Sequence, residues 1–265
     1  MATLLLLLLL LLGFSAAHQG QTHDGGNVQG RSSAQEFSNA STTHLITCSS
    51  DFLLEGDVLI PRTRNAMKCF GEPYTCLWPK SRNGKVEVAF ILSDKYDPSE
   101  RTRIVTAMKD LESQTCLRFV PRVAQRGYLS IEPRYGCASL LGYTGDKQVV
   151  SLQRFGCINH GIIQHELLHA LGFYHEHTRS DRDEYIQINW ENINKYFVFN
   201  FRKMDTDNLN TKYDYTSVMH YGRTAFGTLR RETITPIKDP SAPIGQRERV
   251  SATDILRINK LYRCW

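Results

Sequence analysis

One short stretch of the chain carries residues whose types and spacing suit metal binding and the activation of water. His165 and His169 lie one helical turn apart, so on a helix both imidazole rings leave the same face. Gly172 can adopt a positive φ and end that helix in a sharp turn, which would return His175 toward the first two histidines. Three imidazole nitrogens suit a catalytic Zn²⁺, because its fourth position then stays open for water. Glu166 adjoins the first ligand and could take a proton from that water as general base.

The alternative interpretation of this stretch is three core histidines without a metal. A chance H-E-x-x-H is expected in roughly one to two per cent of chains with this composition, and the added glycine and third histidine lower this to about one in thirty thousand. Three neutral imidazoles on one buried surface would also each need a hydrogen-bond partner. The apolar residues around the motif predict a buried helix; they are Ile162, Ile163, Leu167, Leu168 and Leu171. The sequence therefore predicts a site for one Zn²⁺ per chain.

Residues 1–17 have the pattern of a signal peptide. A run of leucines, Leu4–Leu12, precedes small residues at Ser15 and Ala17. As a helix this run would span roughly 14 Å, well short of a bilayer core of about 30 Å. A short buried helix is the alternative, but the run has no polar face to present to water. We expect cleavage after Ala17, secretion of the protein and no membrane partner.

Residues 18–64 are predicted to be a pro-segment. Residues 18–50 are rich in Gln, Gly, Ser, Thr, Asn and His, so they are expected to be disordered. An apolar run follows, and then Arg62 and Arg64 lie in a polar stretch that contains proline, as in a protease-sensitive linker. Cleavage after Arg64 by a trypsin-like protease would leave residues 65–265 as the catalytic domain.

The cysteine count agrees with that cleavage. The chain has seven cysteines: Cys48, Cys69, Cys76, Cys116, Cys137, Cys157 and Cys264. Removal of the pro-segment takes Cys48 and leaves an even number, which in a secreted chain predicts three disulfides with about 15 possible pairings. The alternative, metal ligation by thiolates, is disfavoured because the chain contains no C-x-x-C.

Composition and charge exclude several other classes. With 41% hydrophobic and 22% charged residues, the chain is not collagen-like, coiled-coil or wholly disordered. The formal net charge is +5 and no long basic run occurs, so we expect no nucleic-acid partner. The basic excess would weakly favour anionic or glycosylated substrates, although solubility alone also accounts for it.

Periodicity predicts strands and helices on both sides of the histidine motif. The predicted strands are Lys85–Leu92, Arg118–Val123, Tyr128–Glu132 and Lys147–Leu152. Helices are predicted over Pro98–Cys116, opened by Asp97, and over Ala252–Tyr262, with Ser251 as its N-cap. Between the histidine motif and the last helix the sequence predicts mostly irregular structure.

Two motifs together resemble the astacin family of zinc endopeptidases. The run His165–Glu176 matches the H-E-x-x-H-x-x-G-x-x-H signature, with a glutamate directly after the third histidine. Ser217–Tyr221 resembles the family's Met-turn, with Met219 at its centre. Within the family the chain is most similar to the six-cysteine fish hatching enzymes, or choriolysins. The matching stretches are Asn65–Cys69, Arg118–Arg122, Gly161–His165 and Tyr221–Phe226.

The resemblance implies a role for each residue of the centre. His165, His169 and His175 would bind zinc, and Glu166 would polarise the water and shuttle its proton. Tyr221 would ligate zinc at rest and then hydrogen-bond the oxyanion, a role that a phenol can perform. His220, its neighbour, is interpreted as structural.

The resemblance also implies two contacts that regulate the enzyme. Asp57 would occupy the fourth zinc position in the zymogen only, as the family's aspartate switch. Leu54 departs from the family pattern, in which a phenylalanine is common at this position. Glu176 would meet the new N-terminal amine of Asn65 after cleavage, through buried water.

The fold implied by the resemblance is α+β, with two lobes on either side of a cleft. The N-terminal lobe would hold a twisted, mostly parallel sheet and two helices, and the C-terminal lobe would be largely irregular with a final helix. An extended substrate would lie along an edge strand above the zinc helix. The implied disulfides are Cys116–Cys264, Cys137–Cys157 and Cys69–Cys76. This scheme gives Cys48 no partner, so it would be free, form an intermolecular bridge or leave with the pro-segment.

The sequence therefore predicts a secreted, zymogen-activated zinc endopeptidase whose water nucleophile is activated by Glu166. By resemblance its substrate would be egg-envelope glycoprotein at hatching, with storage in secretory granules before release. A second possibility is a six-cysteine astacin protease of a non-embryonic tissue. A third is a non-catalytic, zinc-bearing binding protein, which Glu166 argues against because such a protein needs no general base.

Overall fold

The computed structural model describes residues 52–54, 56–60 and 76–265. The predicted signal peptide, most of the predicted pro-segment and the expected cleavage site after Arg64 lie outside these residues. Cys48, Cys69 and the expected new N-terminus at Asn65 also lie outside them.

A seven-stranded mixed sheet forms the N-terminal part of the fold. Its strands are β1 (Phe52–Leu54), β2 (Val58–Ile60), β3 (Val86–Leu92), β4 (Leu117–Pro121), β5 (Tyr128–Glu132), β6 (Cys137–Leu140) and β7 (Lys147–Leu152). They are ordered β1-β2-β6-β7-β5-β3-β4 across the sheet. The β2–β6, β5–β7, β3–β5 and β3–β4 pairs are parallel, while β1–β2 and β6–β7 are antiparallel. The expectation of a mostly parallel sheet is therefore confirmed.

Three α-helices occur in the described residues: α1 (Pro98–Gln114), α2 (His160–Ala170) and α3 (Ala252–Leu261). Helix α1 begins as predicted, because the Asp97 carboxylate accepts hydrogen bonds from the backbone N–H groups of Ser99 (2.9 Å) and Glu100 (3.0 Å). It ends before the predicted Cys116, because Thr115 is already extended, at φ −141° and ψ 175°. None of these helices has the length and apolar character of a membrane span.

Two hydrophobic cores define two lobes. The larger core lies between the sheet and the helices, and it includes Ile104 of α1 and Ile163 of α2. The smaller core surrounds Phe201 and Tyr221. Although α3 comes last in the chain, its Ile258 is fully buried in the larger core. The final helix therefore packs with the sheet and helices of the N-terminal lobe.

The C-terminal lobe is largely irregular, as predicted. It contains one two-stranded antiparallel sheet, of β8 (Ile186–Ile188) and β9 (Ile234–Pro236). The rest is short 3₁₀ helix and turn. The 3₁₀ helices of this lobe are Glu176–Thr178, Arg182–Glu184, Trp190–Asn192, Lys195–Phe201 and Thr228–Arg230.

Two disulfides join distant parts of the described chain. Cys116 bonds Cys264 across 148 residues, with the Cα atoms 5.1 Å apart, and this bond ties the end of the chain to the start of β4. Cys137 bonds Cys157 across 20 residues, with the Cα atoms 5.6 Å apart, and links β6 to the loop that precedes α2. These are two of the pairings that the resemblance implies.

Helix α2 packs so closely on a later loop that its second residue must be glycine. A Cβ atom at Gly161 would lie 2.3 Å from the carbonyl oxygen of Arg247 and 2.6 Å from the carbonyl carbon of Glu248. Because both atoms belong to backbone, neither can move aside without shifting the loop. The loop thereby fixes the position of α2 along its own axis.

We predict that Gly161→Ala destabilises the protein, although alanine normally stabilises a helix by about 1 kcal/mol relative to glycine. The expected loss of unfolding free energy is about 1–3 kcal/mol, the usual cost of overpacking. Thermal unfolding measures it. The control is Arg103→Ala on the exposed face of α1, which should change stability by less than about 0.5 kcal/mol. A Gly161→Ala protein as stable as the wild type would contradict this packing.

Candidate metal centre and active site

Helix α2 is buried on every side and is held at its C-terminal end by side chains and backbone from elsewhere in the fold. Every residue from Gly161 to Ala170 is buried. The last carbonyl groups of a helix have no partner within it, so a buried helix end needs donors from outside. The hydrogen bonds are Gly142 N–H to His169 (2.9 Å), Trp78 Nε1–H to Ala170 (2.8 Å) and Tyr262 O–H to Leu171 (2.9 Å). The helix that carries the histidines is therefore fixed in place.

The glycine turn brings the third histidine to the other two. Gly172 has φ +101°, in the left-handed region where glycine is favoured, and the helix stops just before it. Metal-ligating atoms of His165, His169 and His175 then lie within 4.8 Å of one another and of the Asp57 carboxylate. All three histidine side chains are buried. The structure therefore brings the three histidines of the motif together with Asp57.

Hydrogen bonds at the Nδ1 atoms orient two of the imidazole rings. The Nδ1 atom of His165 lies 2.8 Å from the carbonyl oxygen of Val218, and that of His169 lies 2.7 Å from the carbonyl oxygen of Phe173. Because a carbonyl can only accept, Nδ1 of each ring carries the hydrogen and Nε2 keeps its lone pair. This is the arrangement by which proteins prepare a histidine to bind a metal through Nε2.

The donor atoms at the centre fit a cation. One Asp57 oxygen lies 3.1 Å from His165 Nε2, and the other lies 3.4 Å from His169 Nε2 and 3.2 Å from His175 Nε2. Among the described residues, Asp57 Oδ1 and His169 Nε2 are buried without a hydrogen-bond partner. Buried lone pairs that face one another at these distances repel unless a positive charge lies between them. Three imidazole nitrogens and one carboxylate oxygen are ligands that Zn²⁺ prefers.

The pKa values of His165 and Asp57 are shifted toward the protonation states that bind a metal, and the pKa of Glu166 is shifted by the same surroundings. Burial, together with the positive charge of Arg247, lowers the pKa of His165 to about 3, so this ring is neutral at neutral pH. Burial alone would raise the pKa of Asp57, but positive charge among the surrounding histidines, His175 above all, holds it well below its usual value. Burial and the Asp57 charge raise the pKa of Glu166 well above its usual value. Metal ligation requires the neutral imidazole and the ionised carboxylate, which are the forms favoured at His165 and at Asp57.

Asp57 reaches the histidines from the hairpin of β1 and β2, at one edge of the main sheet. It lies in the turn between β1 and β2, next to Gly56, whose φ is +84°. Strand β2 pairs in parallel with β6, with Val58 opposite Ser139. The backbone N–H of Ser139 also donates to the carbonyl oxygen of Asp57, at 2.9 Å. The backbone of this segment is therefore bound to the sheet where its carboxylate enters the metal centre.

The turn around Met219 supports the metal centre through a hydrogen bond to His165. The Asp254 carboxylate accepts hydrogen bonds from Ser217 Oγ (2.7 Å) and from the backbone N–H of Val218 (3.0 Å). The carbonyl group of Val218 in turn binds His165. Asp254 also forms the capping box of α3 with Ser251. Sequence reasoning missed Asp254, although the S-x-x-D spacing at the start of α3 marks it as a capping residue.

Tyr221 lies beside the third histidine, and His220 is directed away from the metal-ligating atoms. The Tyr221 ring is nearly buried, and its centroid is 4.6 Å from that of His175. His220 Nδ1 lies 2.7 Å from the Tyr221 carbonyl oxygen, so Nδ1 donates and Nε2 accepts from the hydroxyl of Tyr213 at 2.8 Å. Both ring nitrogens of His220 are engaged, in accord with its structural interpretation.

Glu176 is the centre of a buried ion pair that the sequence did not reveal. Its two carboxylate oxygens accept hydrogen bonds from Arg257 at 2.6 and 2.8 Å, and one also accepts from the backbone N–H of Asp214 at 2.7 Å. Arg179 lies 3.4 Å away. The partner expected from the resemblance, the amine of Asn65, lies outside the described residues. A cavity of about 180 Å³ adjoins Glu176 and Arg257.

The fold and the centre together define a zinc metalloendopeptidase of the metzincin type, with a buried H-E-x-x-H helix, a glycine turn to a third histidine and a methionine turn in contact with the first histidine. Comparisons with known proteins specify the family. Residues 76–263 match the Astacin peptidase family. The chain belongs to the astacin family, as its motifs predict.

The similar proteins include hatching enzymes. The chain is 58% identical over 262 residues to the low choriolytic enzyme of Oryzias latipes, with 97% of each chain covered. It is 49% identical over 227 residues to high choriolytic enzyme 1 of the same fish, covering 84% of this chain and 83% of the relative. The solved structure of high choriolytic enzyme 1, a hatching enzyme zinc-protease from medaka, superposes with a TM-score of 0.72 at 50% identity, covering 76% of this chain and 100% of that one.

We predict that Arg257→Met destabilises the protein more than the double change Glu176→Gln with Arg257→Met. The single change leaves a buried carboxylate without its main partner, at a cost of about 3–5 kcal/mol, whereas the double change removes the charge as well. Urea unfolding with the disulfides intact measures both. Arg249→Met, at an exposed position, is the control and should have little effect. Equal losses in the single and double variants would contradict the ion pair's role.

Proposed function

We propose that this protein is a secreted zymogen whose mature form hydrolyses egg-envelope glycoprotein. Residues 1–17 are the signal peptide, residues 18–64 the inhibitory pro-segment and residues 65–265 the catalytic domain. The observation that carries the proposal is the position of Asp57: a carboxylate that precedes Arg64 in the chain lies among the three histidines of the metal centre. An acidic side chain bound there occupies the position that a substrate and water would need.

In the mature enzyme His165, His169 and His175 would hold zinc. A bound Zn²⁺ supplies Lewis acidity, which polarises a peptide carbonyl and lowers the pKa of water to about 7. Glu166, buried beside these ligands, accepts the proton of the attacking water and then gives it to the leaving amine. Tyr221 donates its phenolic hydrogen to the oxyanion of the tetrahedral intermediate. Removal of Asp57 precedes each of these steps.

The pro-segment would inhibit the enzyme in two ways at once. Its carboxylate occupies the metal centre, and its strand β2 occupies the edge of β6. An extended peptide substrate binds such an edge through main-chain hydrogen bonds, so β2 and a substrate compete for the same groups. A single cleavage after Arg64, by a trypsin-like protease, would free both the metal centre and the edge of β6.

Cleavage would also create a charge for the buried network at Glu176. The new amine of Asn65 is a cation that does not exist in the uncleaved chain. The cavity of about 180 Å³ beside Glu176 and Arg257 has room for a chain end and water. An amine there would add a favourable partner to the carboxylate and stabilise the processed form.

The choice of egg envelope as substrate rests on the relatives. Two of them, 58% and 49% identical to this chain, are named choriolytic enzymes, and the solved relative is described as a hatching enzyme zinc-protease. The basic excess of the chain favours an anionic glycoprotein, since opposite charges raise the rate of encounter.

We predict that the trypsin-processed protein cleaves a generic protein substrate and then egg-envelope protein, and that a zinc chelator abolishes both activities. Glu166→Ala should keep one zinc per chain but lower kcat by about 10²- to 10⁴-fold, because only the proton transfer is lost. The exposed Glu87→Ala is the matched control and should retain full activity. Loss of zinc from Glu166→Ala would show that this residue supports the ligands instead, and full activity with chelator would refute the zinc mechanism.

We predict that Asp57→Ala makes the uncleaved chain active. The comparison uses Arg64→Gln in every variant, so that processing at the expected site is blocked. The chain with Arg64→Gln alone should be inactive, and addition of Asp57→Ala should give measurable hydrolysis, because the carboxylate no longer fills the metal centre. Asp94→Ala, at an exposed position, is the control and should stay inactive. An inactive Asp57→Ala chain that binds zinc would contradict this prediction and mean that β2 on the edge of β6 is sufficient for inhibition.

N-terminal sequencing completes this test. The wild-type chain treated with trypsin should begin at Asn65 when activity appears. A different first residue in the active product would place the domain boundary elsewhere.

A further inference from the structure

We propose that His177 is a positioning residue whose ring stabilises the orientation of Tyr221 from which the phenol acts on the oxyanion. The proposal rests on the function proposed above, in which the phenol of Tyr221 acts on the oxyanion. His177 lies two residues after the third histidine, in the 3₁₀ helix Glu176–Thr178, and its side chain is fully buried. It belongs to neither the metal-ligating group nor the buried ion pair of Glu176.

The contact between the two rings is close and nearly parallel. The centroids of His177 and Tyr221 are 3.8 Å apart, and the ring planes make an angle of 25°. Other rings near Tyr221 meet it at steeper angles: His175 at 59°, Phe226 at 43° and Phe201 at 81°, all with centroids at least 4.6 Å away. His177 therefore covers one face of the phenol ring and stabilises this orientation of the side chain.

The imidazole of His177 is itself anchored. Its Nε2 atom lies 2.9 Å from the carbonyl oxygen of Asn200, so Nε2 carries the hydrogen and donates it. Its backbone carbonyl accepts a hydrogen bond from Arg182 at 2.8 Å. Phe201 packs against the ring edge, with centroids 5.5 Å apart. The orientation of the stacking surface is thus set by a hydrogen bond as well as by packing.

A histidine at this position costs stability, which is an argument against a purely structural role. Among the described residues, His177 Nδ1 and both polar atoms of the Asn200 side chain are buried without a hydrogen-bond partner. Each unpaired buried group costs about 1–3 kcal/mol, and a phenylalanine would fill the same space without that cost. Compared with phenylalanine, the imidazole adds an N–H donor, which fixes the tilt of the flat ring.

The backbone of Tyr221 is held separately, so the ring is the part that remains to be positioned. The carbonyl oxygen of Tyr221 accepts the hydrogen bond from His220. That bond holds the backbone carbonyl and does not set the two side-chain torsions, on which the stacked ring of His177 acts. A phenol that must meet a developing charge gains from preorganisation, and a misplacement of about 1 Å can cost a hundredfold in rate.

Three variants separate the functions of the ring and of its anchor. His177→Phe keeps a stacking ring without the N–H donor, His177→Gln keeps a donor without the ring, and His177→Ala removes both. On the trypsin-processed enzyme we expect kcat to fall by about 10- to 100-fold in His177→Gln and His177→Ala, and by less in His177→Phe, with KM and bound zinc unchanged. His160→Ala, which removes a half-exposed histidine on α2, is the control and should keep wild-type kcat.

The deciding measurement is a double-mutant cycle with Tyr221→Phe. If His177 acts by positioning the phenol, its variants should have no further effect on kcat once the hydroxyl is gone. Additive losses in the Tyr221→Phe background, or a wild-type kcat in His177→Gln, would overturn the inference and leave the proposed function standing. An unchanged kcat in Tyr221→Phe itself would overturn the proposed role of Tyr221 and this inference with it. His177→Phe, which is similar in size, keeps the test decisive where the smaller variants fail to fold.

Discussion

Lone pairs of buried imidazoles converge with a carboxylate at one point of this fold, and their mutual repulsion is relieved only by a cation. The hydrogen bonds at the Nδ1 atoms of His165 and His169 leave their Nε2 atoms as acceptors, within 3.4 Å of the oxygens of Asp57. Without a positive charge at this point the arrangement is costly, since the groups have lost their water. The stability of the centre and its capacity to bind zinc are therefore one property.

Much of the remaining structure serves to hold that point in place. Helix α2 receives its terminal hydrogen bonds from Trp78, Gly142 and Tyr262, which come from three separate parts of the chain. Asp254 fixes the carbonyl that orients His165, although it belongs to the last helix. The disulfide from Cys264 to Cys116 fastens the end of that helix to the sheet. A change in any of these supports would reach the metal centre through packing, because close-packed interiors transmit small displacements.

The elements that the sequence predicted correctly are those whose own residues show a regular spacing or alternation. The spacing of His165 and His169 specified a helix face, and the strands β5 and β7 have the predicted bounds, because alternation and turn residues mark them directly. Strand β6 was missed: its four residues are too few to show a period. The pairing of Cys116 with Cys264 came from family resemblance, since spacing alone leaves all pairings open.

Partners that meet only in the folded chain could not be predicted. Arg257 binds Glu176 across 81 residues, and Asp254 binds Val218 across 36. Arg257 and Asp254 both belong to α3, whose burial was predicted from its apolar residues alone. A charged residue among those apolar positions carries no sign in the sequence that it is itself buried. The same holds for His177, which in the sequence is one more histidine beside the motif. Its stacking on Tyr221 depends on how the 3₁₀ helix after His175 folds back on the turn that follows Met219.

The proposed inhibition shows why a short segment can suffice when it is covalently attached. Strands β1 and β2 have three residues each, and an isolated two-stranded hairpin of that size is not stable in water. Attachment to the catalytic domain makes its binding intramolecular, at an effective concentration in the millimolar range. In this proposal, cleavage after Arg64 changes no contact made by Asp57 or by β2. It removes only the attachment, so a peptide that binds weakly on its own is lost by dilution, and the ligands at the metal centre become available to water and substrate.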